Sequence, residues 1–320
     1  MVSDVKLPSF DGATEWIGSS SPMSRAAGRV VLVNFWTYTC INWLRSLPNI
    51  RAWDRSYADL GLLVIGVHTP EFPFEHNIDN VRRAVEDMGI DYPVAIDNEY
   101  AIWHEFDNHY WPATYIFDAQ GSLRHYHFGE GGYDDSESAI QELLASAGVQ
   151  GVRHNHAPVE RSGIEASADW DNLKSQENYL GYTRTLHFES GPAHGGSRHR
   201  YMAPKQLSVN HWAITGDWVV TEQSIALAEP HGRIGYGFHA RDVNLVMGPV
   251  ALDGSVRFRV MIDGKPPGPD HGIDLDDAGL GVARDQRLYQ LIRQQGPIVD
   301  RIFEIEFLDP GVEAFAFTFG

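Results

Sequence analysis

An apolar strand that runs directly into a helix constrains this chain more than any other feature. Arg29–Trp36 reads RVVLVNFW, the pattern of a strand buried on both faces, and a helical pattern follows from about residue 40 to residue 60. Leu62–His68 and Tyr92–Asp97 are predicted strands, and Asn77–Met88 between them has the spacing of an amphipathic helix. Strands separated by helices predict an α/β sheet with helices on its faces.

The region ends with a short helix, two strands and a final helix. The short helix is predicted at Glu99–Phe106. Ala113–Asp118 and Ser122–Phe128 form a hairpin through the turn signal at Asp118–Gly121. Ser136–Ala147 is the closing helix. Because a hairpin follows the strand–helix alternation, we expect a mixed sheet.

The second half of the chain has a different pattern, in which Gly, Pro, Asn and Asp separate short alternating runs. The predicted strands are Gly181–Phe188, His211–Thr215, Trp218–Thr221, Ser224–Leu227, Arg233–Ala240, Val243–Val246, Val256–Ile262 and Arg301–Leu308. Only Arg284–Gln294 has a helical pattern there. This indicates an all-β sandwich. We predict one domain over residues 1–148, a linker over 149–168 and a second domain over 169–320.

Charge and hydropathy limit the partners. The formal net charge of −18 disfavours nucleic acid and anionic membranes, which would repel the chain. The longest apolar runs, Val30–Phe35 and Leu60–Val67, are too short for a membrane span. The first residues lack the layout of a signal peptide, so the sequence as written predicts a soluble, cytoplasmic protein.

Cys40 is the only cysteine among 320 residues, so neither an internal disulfide nor a cysteine-based zinc site can form. It comes just after the buried strand, at the first turn of the next helix. The helix dipole and the unpaired backbone N–H groups of that turn favour a thiolate. We predict a reactive thiol and no metal or cofactor; the alternative is a residue packed in the core.

Two prolines support this interpretation. Pro48 lies inside the predicted helix, where it should produce a kink. Trp111-Pro112 precedes a predicted strand and permits a cis peptide bond. A proline facing Cys40 would expose the backbone of Trp111 to pair with an incoming peptide. We therefore predict a substrate groove, formed by Trp36, Asn42, Trp43, Trp111 and Pro112.

Residues 28–148 resemble the thioredoxin-like family, in its redoxin branch of TlpA-like proteins, through the Trp36-to-Cys40 segment, Pro48 and Trp111–Tyr115. The segment Trp36–Asn42 and the ending at 310–320 resemble the C-terminal region of DipZ-type proteins. The resemblance implies a thioredoxin-like domain followed by a jelly-roll sandwich like a carbohydrate-binding module. It also implies thiol–disulfide chemistry, and it leaves an extracytoplasmic location open.

The chain departs from the Cys-x-x-Cys pattern of that family because Trp43 stands at the second position. Without an internal resolving thiol, a mixed disulfide on Cys40 needs an external thiol such as glutathione. Oxidation of Cys40 to a sulfenic acid is another monothiol reaction. We predict a monothiol oxidoreductase that acts on protein or small-molecule thiols and disulfides. A non-catalytic adaptor that binds clients in the proline groove is the alternative.

Two further readings concern residues near the thiol. Thr37, three residues before Cys40, half-matches a one-cysteine peroxidase, but Val33 replaces the proline of that pattern. Glu71, together with Glu75 and His68, follows the second strand. All three could approach the thiol as proton-transfer groups, with Glu71 as our candidate, but the pattern favours solvated loop residues.

The sandwich offers aromatic side chains and an acidic loop. Sugar stacking and core packing compete for Trp170, Tyr179, Tyr182, Trp212 and Trp218. The acidic stretch at residues 269–279 lacks the spacing of a helix-loop-helix calcium site and indicates a solvated turn. By resemblance, the sandwich would recruit a glycan or a cell-envelope partner.

Overall fold

The computed structural model describes residues 5–18, 21–152, 155–251 and 253–320. The predicted domains and linker therefore extend over residues 1–4, 19–20, 153–154 and 252, which lie outside this part. The chain divides into two compact units, Met1–Ala166 and Ser167–Gly320. Within the described residues, no helix combines the length and the apolar character needed to cross a bilayer.

The described residues of the first unit form a six-stranded mixed sheet. Its strands are β1 (Glu15–Ile17), β2 (Val30–Trp36), β3 (Leu62–His68), β4 (Val94–Ile96), β5 (Ala113–Phe117) and β6 (Leu123–Phe128). Their order is β1-β4-β3-β2-β5-β6. β3 pairs in parallel with β2 and β4, and the other neighbours are antiparallel. The predicted mixed sheet is confirmed.

Helices cover this sheet at the predicted places. They are α1 (Ile41–Tyr57), α2 (Ile78–Asp87), α3 (Ala101–Glu105) and α4 (Tyr133–Ser146). The Asn77 side chain caps α2 by accepting a hydrogen bond from the Asp79 amide at 2.9 Å. Pro48 lies inside α1, as predicted. A 3₁₀ turn at Pro73–His76 follows β3.

β2 is the interior strand on which the unit is built. All of its residues are buried, because β3 and β5 flank it and both faces of the sheet are covered. Val31, Val33 and Phe35 contribute to one core cluster. Trp36 points to the opposite face because side chains alternate along a strand. α1 begins only a few residues after β2 ends.

The second unit is an antiparallel, curled sheet of 11 strands in its described part, consistent with the predicted β-sandwich. The strands are β7 (Asn178–Tyr179), β8 (Arg198–Tyr201), β9 (Trp212–Val220), β10 (Ile225–Leu227), β11 (Gly232–Phe238), β12 (Asp242–Pro249), β13 (Val256–Ile262), β14 (Leu280–Ala283), β15 (Arg287–Arg293), β16 (Arg301–Phe307) and β17 (Val312–Phe319).

The long strand β9 connects the two halves of this sheet. Its first residues pair with β11 and its last residues with β10. Gly216 lies between these two sets of partners and has a φ of 108°, a conformation that only glycine adopts readily. A strand that bends and changes partners is a common way to turn one sheet into two packed layers.

The predicted helix at Arg284–Gln294 is wrong, because this segment forms β15 and pairs with β12. Leu288 and Leu291 have helical spacing, but Tyr289 and Gln290 between them are buried as well. A short apolar segment buried all around cannot be told from a helix by its periodicity.

Three strand predictions in this unit also need correction. Gly181–Phe188 contains turns instead of a strand. The segments predicted at His211–Thr215 and Trp218–Thr221 form the single strand β9. The strands β7, β8, β14 and β17 were not predicted.

Most of the predicted linker lies within the first unit. It includes a 3₁₀ turn at Gly163–Glu165. Arg51 of α1 donates hydrogen bonds to both carboxylate oxygens of Glu165, at 2.7 and 2.6 Å. Both contacts come from the Arg51 Nη2 atom, and this charge-assisted pair holds the segment against α1.

Candidate functional site

Cys40 is the N-cap residue of α1. Its backbone is extended, with φ −74° and ψ 112°, and its carbonyl accepts the first helical hydrogen bond from the Leu44 amide at 2.9 Å. The side chain makes no capping hydrogen bond and is half-buried. The thiol thus lies at the positive end of the helix dipole, as the sequence predicts.

The second part of the site comes from the loop before β5. The Cys40 Sγ lies 3.8 Å from the Trp111 carbonyl oxygen, although the two residues are 71 positions apart. The Trp111–Pro112 peptide bond is cis. The Trp111 indole donates to the Thr69 carbonyl at 3.1 Å, and the Pro112 carbonyl accepts from the Gly129 amide at 2.8 Å. The structure therefore brings Cys40 together with Trp111 and Pro112, and the two hydrogen bonds hold the loop that carries this tryptophan and proline.

Trp36 and Trp43 do not line the predicted groove, since both are 0% exposed. Their rings stack with centroids 4.3 Å apart. The Trp43 Nε1 donates to the Asn34 Oδ1 at 2.9 Å, which satisfies the buried indole N–H. Position 43 faces the sheet from the first turn of α1, so the indole packs in the core beneath Cys40. Asn42, in contrast, is half-buried.

A buried carboxyl group lies next to the thiol-bearing turn. Glu75 is 0% exposed, and its Oε1 accepts a hydrogen bond from the Thr39 hydroxyl at 2.6 Å. Its Oε2 accepts from the backbone amides of Glu71 and Phe72 at 2.6 and 2.9 Å. Burial raises the pKa of Glu75 to about 7, although the hydrogen bonds to its carboxylate oppose this shift.

Of the three residues considered for proton transfer, Glu75 accepts a hydrogen bond from Thr39, the residue before Cys40. Glu71, our sequence candidate, is half-buried and contacts Glu75 through its backbone. The expectation that all three are solvated loop residues is wrong for Glu75 and His68, which are both 0% exposed. The flanking Phe72 and Phe74 were the available sequence signal for this burial.

His68 ends β3 inside an aromatic cluster. Its ring lies edge-on to Trp36 at 4.9 Å and stacks with Tyr38 at 5.8 Å. Neither ring nitrogen has a hydrogen-bond partner among the described residues. Burial lowers the pKa of His68 to about 3, so the imidazole is neutral at physiological pH.

A buried ion pair further along α1 has no counterpart in the sequence predictions. The Arg45 Nη1 lies 3.5 Å from the Glu130 Oε2, and the two side chains are 3% and 8% exposed. Burial raises the pKa of Glu130, whereas Arg45 lowers it. Glu130 directly follows Gly129, whose amide binds the Pro112 carbonyl. The pair therefore links α1 to the loop that carries Pro112.

The aromatic candidates of the second unit divide into two groups. Trp212 and Trp218 belong to the core, and Tyr179 lies beneath the Arg184 guanidinium at 3.3 Å. Trp170 and Tyr182 are 58% and 41% exposed. Sugar stacking therefore remains open only for the exposed residues.

The acidic loop of this unit is occupied by internal contacts. Asp274 accepts hydrogen bonds from the Arg287 guanidinium at 2.6 Å and the Gln290 amide at 2.8 Å. Asp276 accepts from the Leu280 amide at 2.8 Å. These carboxylates organise the turn itself. Across the residues that the structure describes, no group of three or more His, Cys, Asp or Glu side chains could hold a metal ion.

Two family models match the chain. The model described as "AhpC/TSA family" matches residues 3–126. The model described as "Thioredoxin like C-terminal domain" matches residues 175–320. The two matches fall on the two compact units.

Curated relatives match either both units or the first alone. Protein DipZ of Mycobacterium tuberculosis is 32% identical over 317 residues, which are 98% of this chain and 42% of that protein. NHL repeat-containing protein 2 of Homo sapiens is 35% identical over 135 residues, 41% of this chain and 19% of its own length. Thiol-disulfide oxidoreductase YkuV of Bacillus subtilis is 26% identical over 140 residues, 43% of this chain and 94% of its own length.

The first unit has a thioredoxin-like fold with Cys40 at the start of α1. Together with these similarities, it supports the thioredoxin-like redoxin family that the sequence motifs predict. The similarity of the chain to DipZ extends through the second unit as well, and this chain spans less than half of the length of DipZ.

We predict that His68 makes the protein sensitive to acid. The unfolded chain binds a proton on this histidine near pH 6.5, whereas the folded protein does so only near pH 3. The free energy of unfolding should therefore fall by about 1.4 kcal/mol for each pH unit below 6.5, as one proton binds to the unfolded state alone. His68→Phe, which keeps a flat ring, should reduce this slope in urea denaturation.

His104→Phe is the matched control, because His104 lies exposed on α3. It should keep the wild-type dependence on pH. Equal slopes for His68→Phe and the wild type between pH 6.5 and pH 4 would contradict the role assigned to His68.

Proposed function

We propose that the first unit is a thiol–disulfide oxidoreductase that works with Cys40 alone. The observation that carries the proposal is the position of the thiol, at the N-terminus of α1 and 3.8 Å from the Trp111 carbonyl. The first unit resembles the thiol-disulfide oxidoreductase YkuV over 140 residues, which supports the same class of reaction. The sequence contains no second cysteine, so the reaction must be completed by another molecule.

The reaction takes place in two thiol–disulfide exchanges. The Cys40 thiolate attacks one sulfur of a substrate disulfide, forms a mixed disulfide and releases the other sulfur as a thiolate. A small thiol such as glutathione, as its thiolate, then attacks the substrate sulfur of this mixed disulfide. Cys40 leaves as a thiolate, and the substrate carries away a new disulfide with the small thiol. Each step exchanges one S–S bond for another without an additional oxidant.

The loop at Trp111 is the proposed binding edge for the substrate. Its carbonyl oxygen contacts the Cys40 thiol in the free protein and would accept a backbone N–H from an extended substrate segment. Asn42 is half-buried at the start of α1, where it could contact the same segment. Trp36 and Trp43 would act from below, as the packed base of the site.

A second candidate function is that of a non-catalytic binding protein. The absence of a resolving cysteine favours it, since a family member without dithiol chemistry could still hold a client in the same groove. The peroxidase reading has less support, because the Thr37 side chain is 0% exposed and so cannot reach a peroxide at an open thiol without a rearrangement.

We infer that the second unit recruits a partner for the first. Its exposed Trp170 and Tyr182 support a ligand with flat apolar faces, such as a sugar. This inference depends on resemblance in fold and leaves the identity of a glycan or cell-envelope partner to experiment.

The pH dependence of Cys40 labelling separates the two functions. A thiol-reactive dye should label the native protein with a half-point below the free-thiol value of about 8.5, because the helix terminus favours the thiolate. Cys40→Ser should remain unlabelled. Wild-type protein that reacts only after denaturation, or only above that pH, would favour the binding protein.

Trp43→Cys tests whether the missing thiol is what prevents dithiol turnover. We predict that this variant gains insulin-disulfide reduction, because it restores a resolving thiol on the first turn of α1. The lost stack on Trp36 and the new cavity should lower the free energy of unfolding by about 3 kcal/mol or more.

Trp43→Ser is the control for that experiment, since it creates nearly the same cavity without a sulfur. It should be equally destabilised and inactive. A folded Trp43→Cys variant with no more activity than Trp43→Ser would show that the site has changed in more than its second cysteine.

A further inference from the structure

Glu75 forms a connection between two segments at the thiol site. Thr39, the residue before Cys40, donates its hydroxyl hydrogen to one oxygen of the Glu75 carboxylate at 2.6 Å. The other oxygen accepts the amides of Glu71 and Phe72, in the loop after β3. The carboxylate thus joins the turn that presents the thiol to the neighbouring loop. These three donors are uncharged, so none of them neutralises a carboxylate at this position.

We propose that Glu75 is a positioning residue that holds the Thr39–Cys40 turn and couples its own ionisation to that of the Cys40 thiol. This inference rests on the proposed function of Cys40. The coupling has a definite sign, because two acids in one poorly solvated site oppose each other's ionisation. A charged Glu75 makes the Cys40 thiolate harder to form, and a neutral side chain at position 75 makes it easier.

The titration of Glu75 falls in the range where such coupling matters. Burial raises its pKa to about 7, hydrogen bonds from the Thr37 and Thr39 hydroxyls and the Phe72 amide oppose this shift, and the Glu71 carboxylate adds to it. Both protonation states are therefore populated near neutral pH. Glutamine at position 75 has the same shape: its oxygen can accept the two amides, and its NH₂ group can donate to Thr39.

Other titratable groups surround Glu75 on each packed segment. Glu71 and His76 lie on its own loop. Tyr38, which contacts Phe74, and Cys40 lie on the turn before α1. Tyr100 precedes α3, and burial together with the Glu75 charge raises its pKa to about 12. Of these, Glu71 is the neighbour whose charge raises the pKa of Glu75.

The test is the rate of Cys40 alkylation by iodoacetamide from pH 4 to pH 9.5, measured on the full chain. The wild-type profile should contain two inflections, one of them near pH 7. Glu75→Gln should leave one inflection and react about threefold faster at pH 7, as expected when a nearby unit charge is removed from a partly screened site.

Two further variants distinguish the role of Glu75 from general effects on the fold. Thr39→Val removes a hydrogen bond to the carboxylate and should move the inflection near pH 7 to higher pH. Glu71→Gln removes the neighbouring charge but keeps Glu75, so the inflection should persist at slightly lower pH. If Glu75 acted only through packing, the inflection near pH 7 would stay at the same pH in both variants.

Thermal unfolding gives a second measurement. Unfolded glutamate loses its proton near pH 4.5, whereas folded Glu75 keeps it to about pH 7. The folded wild type therefore loses stability as the pH rises through this window, because it binds the proton that the unfolded chain releases. The melting temperature of Glu75→Gln should rise relative to the wild type from pH 5 to pH 8.

The outcomes separate this inference from the proposed function. A wild-type thiol that is unreactive until denaturation overturns the proposed function. A reactive wild-type thiol with identical profiles in Glu75→Gln overturns only the inference about Glu75. If Glu75→Gln does not fold, Thr39→Val decides, and an inflection that stays in place contradicts the coupling.

Discussion

The continuous burial of β2 is the constraint on which the thiol site depends. Pairing with β3 and β5 on its two edges and cover on both faces fix this strand in the middle of the sheet. α1 begins only a few residues after β2 ends, and this places Cys40 at the helix N-terminus. The same pairing fixes β5, and with it the loop that brings the Trp111 carbonyl to the sulfur. The dipole at the thiol is therefore a consequence of strand pairing.

Trp43 explains how the site can lack a second sulfur and remain well packed. The indole fills the core beneath Cys40, stacks on Trp36 and satisfies its N–H with Asn34. A thiol here would leave a cavity and an unsatisfied amide oxygen. The chain thus has internal support for the geometry of Cys40 but no internal route to resolve a mixed disulfide. The proposed reaction therefore needs an external thiol to release the substrate from Cys40.

The sequence was sufficient for features that depend on neighbouring residues. The position of Cys40 after a strand and the order of strands and helices in the first unit are local patterns. The sequence does not show that Trp43 is buried, or that Glu75 and not Glu71 accepts the hydrogen bond from Thr39. Both features depend on which side of a turn faces the sheet, and that requires the packed structure. β15 shows the same limit, because its side chains are buried on all sides and their spacing also fits a helix.

The central claim is that Cys40 forms a mixed disulfide in the native protein. Intact-mass measurement after incubation with oxidised glutathione tests it most directly, because the exchange adds one glutathione to the chain and releases one as a thiol. The account predicts one adduct per chain, formed under native conditions, removed by a reducing thiol and absent from Cys40→Ser. Native protein that stays unmodified, while the denatured chain forms the adduct, would contradict it.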